Sequence, residues 1–112
     1  MSYTEVLATA ANLDPNALFI RVVGHSMDDV LGDGWILRAD TTHVHPQDGE
    51  IVAVEIKGRG NILGYWSGGD SPSLLKENPA FAPIDLAGET WRIVGVVTTI
   101  VDRPITPLRR PN

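Results

Sequence analysis

The stretch Phe19-Ile20-Arg21-Val22-Val23-Gly24-His25-Ser26-Met27 decides how the rest of the chain is read. Phe19, Ile20, Val22 and Val23 are aromatic or β-branched, so the pattern predicts a strand that stops at Gly24. A glycine there permits a sharp exit. The Ser-Met pair after it predicts a short helix. Ser26 would then project from a helix N-terminus, beside backbone N–H groups that are free to meet a developing oxyanion. Read in isolation, Ser26-x-x-Asp29 is close to a capping box, and Ser26 is then a helix cap.

Working outward, the N-terminal side carries Val6, Leu7, Ala10 and Ala11. Their spacing suggests a helical turn or two, interrupted at Asp14-Pro15-Asn16. On the C-terminal side the pattern is short and strand-like. Strands are predicted at Trp35 to Ala39, Glu50 to Ile56, Asn61 to Trp66, Ser73 to Lys76 and Trp91 to Val101. Gly58-Arg59-Gly60 reads as a hairpin turn between two of them. Asn78 to Pro83 is read as irregular, because its prolines remove ladder donors. The expected fold is mainly β, a small β-sandwich or partly closed barrel. Short helices are expected near the N-terminus and after the serine. The division is an N-terminal helical or extended segment at 1–17, the domain at 18–101, and a proline-rich tail at 102–112.

Composition narrows the function. The 112 residues suit one compact domain, and 43% hydrophobic content can fill a core. With 9 Lys+Arg against 14 Asp+Glu the formal charge is −5, which repels nucleic-acid phosphates. Arg109-Arg110 is too small a basic cluster to reverse that, so direct nucleic-acid binding is not expected. There is no cysteine, which excludes disulfides and thiolate chemistry. No apolar run approaches a membrane span, and Met1 to Glu5 lacks a basic signal start. A cytoplasmic protein without a membrane partner is the expectation.

Further segments repeat, in order, the pattern of one known family. They are Val30-Leu31-Gly32-Asp33-Gly34, Asp48-Gly49-Glu50-Ile51-Val52-Ala53-Val54, Leu74-Leu75-Lys76-Glu77-Asn78-Pro79 with Pro83-Ile84, and Trp91 to Val97. Together with the Ser26 segment they resemble the serine–lysine peptidase domain of the LexA and UmuD family, over roughly residues 18 to 101. The resemblance implies a nucleophile position at Ser26, with the backbone of Met27 near the oxyanion site. It also implies a neutral buried lysine on a later strand. Ungapped, that lysine falls on Leu63; a hairpin one residue longer places it at Gly64. Neither is a cation. A serine hydroxyl is a poor nucleophile unless a base activates it, so the resemblance in fold and the loss of the base point in different directions.

Lys57, Lys76 and His25 are possible stand-ins. Both lysines read better as solvated surface residues, and His25 adjoins Ser26 on a segment where neighbouring side chains diverge. The family cleaves upstream of its serine at a small pair such as Ala-Gly. Here the upstream stretch offers only Ala8-Thr9-Ala10-Ala11, and Ala87-Gly88 lies downstream.

Other residues have plainer readings. His43 and His45, with Asp40 or Asp48, resemble half a metal site, but His-x-His lacks a defined third ligand and reads as polar loop. Asp28-Asp29 reads as structural, Met27 and Tyr65-Trp66 as core. No metal or cofactor is expected. The leading expectation is a weakly active or inactive domain retained for homodimer formation and for binding a protein or peptide partner, in a stress (SOS-like) or phage-regulatory context. In the family the domain pairs through its late strands, and the run Ile93 to Val101 is the expected edge. The alternatives are a serine autopeptidase with an unusual base, and an accessory subunit of a translesion polymerase.

Overall fold

A computed structural model describes residues 3–9 and 15–103 of the chain. Eight strands follow one another: β1 Tyr3–Thr9, β2 Ala17–Val23, β3 Ile36–Asp40, β4 Ile51–Ile56, β5 Gly60–Ser67, β6 Ser73–Leu75, β7 Ile84–Asp85 and β8 Trp91–Asp102. The chain is mainly β, as its short turn-bounded runs require. The strands form one antiparallel sheet in the order β1-β2-β3-β8-β4-β5-β6-β7, and β1 meets β5 again at Tyr3↔Ile62, so the sheet curls back on itself.

Among the described residues neither expected helix is present. The segment before Asp14 holds strand β1, which pairs with β2 from Tyr3↔Val23 to Thr9↔Leu18. The ladder with β2 satisfies its backbone, which two turns of isolated helix do not do as well. After Ser26 the backbone makes consecutive turns, with Asp28 N–H donating to His25 O and Leu31 N–H to Met27 O. That single turn is not continued past Leu31, because Gly32 and Gly34 take the chain into β3. The expected arm at 102–112 lies outside the described residues beyond Arg103, as do Ala10 and Ala11.

Burial follows strand parity. In β2 Ile20 and Val22 are buried while Arg21 is exposed. Val52, Ala53 and Val54 are buried in succession, because β4 is covered on both faces. The interior divides into two apolar clusters. One gathers Leu18, Ile20, Val22, Met27, Leu31, Leu37, Ala53 and Leu63. The other gathers Val52, Val54, Ile56, Ile62, Trp66, Leu74, Leu86 and Val96. Trp66 and Trp91 close the second with ring centroids 5.7 Å apart.

β8 corrects a further expectation. It is not an edge of the sheet but lies between β3 and β4. Its first half pairs with β4 as far as Val52↔Val96, and its second half pairs with β3 from Asp40↔Val96 to Ile36↔Asp102. Extra residues at Val94, Thr98 and Val101 break the register on the β8 side. Each such bulge sharpens the twist and bends the strand, which is how one strand serves two halves of a curled sheet.

Candidate active site

Ser26 lies in the loop between β2 and β3. That loop is closed at its base: Gly34 N–H donates to Val22 O at 2.8 Å and Val22 N–H to Trp35 O at 2.9 Å. Asp33 fixes the exit of β2 by accepting the Gly24 N–H at 2.8 Å. Gly24 itself takes φ 97°, a conformation costly for any side chain. Met27 and Leu31 then anchor the loop in the first apolar cluster.

The serine is fully buried, and among the described residues it is the one polar residue in the buried core. Taking a hydroxyl out of water costs free energy unless the interior compensates it. Ser26 is thus the exception among buried residues that are otherwise apolar. Other segments cover it. Part of that cover is the turn after β6. Asn78 N–H donates to Ser26 O at 2.9 Å, and Asn78 Nδ2 donates to His25 O at 3.0 Å.

Of the two positions at which the resemblance places a lysine, Leu63 is buried in the same cluster as Met27. Gly64 faces the other way: a Cβ there would stand 3.0 Å from Leu74 Cβ and 3.0 Å from Leu75 O, against β6. Of these two positions, the face turned toward the serine segment is therefore occupied by a leucine.

The stand-in bases separate clearly. The His25 side chain is 66% exposed and its Nδ1 lies 3.0 Å from Asp28 Oδ2, so it is directed to solvent. Lys57 is exposed in the β4–β5 turn. Lys76 is different from the solvated residue expected. It is half-buried, and its Nζ donates to the carbonyl oxygen of Leu63. Burial brings its amine down to about 8. The sequence held a signal for this: Lys76 shares the parity of the buried Leu74, while Leu75 between them is exposed. Asn78, two residues on, had no such signal, since its role is set by a turn.

The histidine pair lies in the loop between β3 and β4. His43 Nε2 stands 3.4 Å from Glu50 Oε1, and His45 is exposed beside Pro46. Asp40 accepts from the Thr42 hydroxyl at 2.7 Å and the Thr42 N–H at 2.9 Å, bonds that hold its carboxyl below the usual range. Among the described residues no three His, Cys, Asp or Glu side chains gather to hold a metal ion. Trp66 is core, while Tyr65 lies at its margin, its hydroxyl pushed up by burial and by Glu77. No helix among the described residues is long and apolar enough to cross a membrane.

Residues 2–98 match the Peptidase S24-like family. The chain is 33% identical over 91 residues to LexA repressor 2 of Nocardia farcinica (strain IFM 10152), a match that covers 79% of this chain and 35% of the repressor. The chain thus spans about a third of the length of that relative. A buried serine on a glycine-led loop, a curled antiparallel sheet around it and a match over most of the chain agree, and the protein belongs to the Peptidase S24-like family, the family of LexA and UmuD.

Proposed function

We propose that this chain is a LexA-like domain that acts by self-association and partner binding, with its serine peptidase chemistry impaired. One observation carries the reading: Leu63, one of the two positions on which the resemblance puts the family's lysine, is aliphatic and buried in the same cluster as Met27. Loss of one member of a nucleophile–base unit costs several powers of ten in rate. The similarity to a repressor supports a regulatory setting, of the SOS or phage kind. The acidic charge supports protein rather than nucleic acid as the partner.

The pairing surface is the far half of β8. There β3 lies along one side, while the β4 ladder has ended at Val96. Val101 is 53% exposed in that stretch. A strand with one open side takes a second copy by antiparallel addition, which is a two-fold operation.

Light scattering of the purified chain at micromolar concentration, beside intact mass after long incubation, tests the reading. A dimer that stays uncleaved at neutral pH is the expected result. A monomer removes self-association. Complete self-cleavage by the native chain but not by Ser26→Ala removes the impairment.

A further inference from the structure

The first half of β8 has an open flank of its own, on the side away from β4. The β3 ladder stops at Asp40↔Val96, where the chain turns aside and Thr41 N–H donates to Asn16 O at 2.9 Å. Residues Trp91 to Ile93 therefore pair with β4 alone. Lys57 N–H donates to Thr90 O at 2.9 Å, and this bond sets the alternation of the ladder. Arg92 turns its backbone groups toward Glu55, while Trp91 and Ile93 turn theirs away from β4. Among the described residues no backbone hydrogen bond joins them to the loop at 44–46. Between strand and loop runs a groove of about 550 Å³, whose walls include Val44, Pro46, Trp66, Trp91 and Arg92.

We propose that this groove takes an extended, acidic segment of another protein, added to the Trp91–Ile93 edge as a short strand with apolar and acidic side chains in alternation. The inference rests on the reading of the chain as a partner-binding domain and names the chemistry of the partner.

Three features specify the occupant. The outward N–H and C=O groups of Trp91 and Ile93 call for a peptide backbone, since a sheet edge binds an extended segment through main-chain hydrogen bonds and reads its alternate side chains. The apolar wall gives one set of side chains a floor. Trp91 and Ile93 pack against the cluster that holds Trp66, and Val44 is 46% exposed at the groove. The charged wall selects the other set. Glu55, Lys57 and Arg92 line a second hollow of about 490 Å³ that meets the first at Trp91 and Arg92. Glu55 is already paired with Arg92 at 2.9 Å, and exposed Arg59 stands in the turn beside Lys57. In a chain with a formal charge of −5, this local excess of cations favours a negative partner. The chain's own residues 104–112 have the wrong chemistry, with two arginines, three prolines and no acidic side chain.

The test is fluorescence anisotropy of a labelled octapeptide that alternates leucine with glutamate, titrated with the native chain. Saturable binding is expected, with slowed amide hydrogen exchange at Trp91 and Ile93. Replacing the glutamates by lysines, or making Arg92→Glu in the protein, should weaken binding about 10-fold. Alternate residues of a strand point their N–H groups to opposite sides. N-methylation of either all leucines or all glutamates should therefore abolish binding, and N-methylation of the other set should spare it. The peptide variants read the edge without any risk to the protein's fold, and circular dichroism checks Arg92→Glu. Equal affinity for the lysine peptide overturns the proposal, as does unchanged exchange at Trp91 and Ile93. Binding of oligothymidylate but not of the peptide overturns it in favour of nucleic acid. Conversion of a native dimer to monomer by Arg92→Glu overturns it in favour of a second copy. An uncleaved dimer that ignores the peptide removes this groove and leaves self-association standing. A monomer that binds the peptide at Trp91 and Ile93 supports the groove and removes self-association.

Discussion

An amine held half out of water gives up part of its affinity for protons, and the fold bears the cost of that. Lys76 has a native pKa of about 8 against 10.5 for the free side chain. Between these values the unfolded chain binds more protons than the folded one, so stability rises with pH across the window and is lowest below about 8. Lys76→Met should therefore gain most in melting temperature over the native chain at pH 7, and the gain should shrink toward pH 10; a pH series of thermal melts reads it. Asn78→Ala removes the side-chain bonds to His25 O and from Ala80 N–H. It should lower stability by about 1–3 kcal/mol, measured by urea unfolding. At this scale the sequence was legible where composition spoke and opaque where parity did. Leu63 and Ser26 could be marked by pattern. The inward turn of Lys76 depended on which face of a three-residue strand it inherits from Leu74.

At the scale of elements, most strands were legible because β-branched runs end at glycine or proline. β7, two residues long, had too little pattern to show. The two absent helices failed for different reasons. β1 has a spacing that suits either element, and tertiary pairing with β2 decided it. The turns after Ser26 have a cap-like start but no room to propagate before Gly32. Where β8 passes from β4 to β3, Gly95 lies close to the neighbouring strand. A Cβ there would stand 2.9 Å from Asp40 O and 3.1 Å from Ala39 Cβ. A backbone carbonyl in a ladder cannot retreat. Gly95→Ala should cost about 1–3 kcal/mol, while Gly68→Ala, which meets chiefly the movable side chains of Trp66 and Asp48, should cost less. Paired denaturation curves check the order.

For the whole molecule, the strand ladder explains what no local pattern carried. Sequential strands pair most often with their neighbours, so a late apolar run is naturally read as an edge. Here the run is inserted instead, and its second half keeps an open side. If self-association uses that side, Val101→Lys should shift a micromolar sample to monomer in sedimentation while leaving the melting temperature within a few degrees, since Val101 is exposed and bulged out of the β3 register. An unchanged dimer would place the contact elsewhere on the surface.

The position of β8 has a consequence for biogenesis. β3 and β4 do not pair with each other; in the ladder they are joined through β8, and at the far seam β1 meets β5 at Tyr3↔Ile62. Until residues 91–102 are made, the two halves of the sheet therefore each lack a ladder neighbour, along β3 in one and β4 in the other. Neither half can complete its interior until residues 91–102 emerge and slide between them. A stalled nascent chain ending before Trp91 should therefore be as protease-sensitive as an unfolded one.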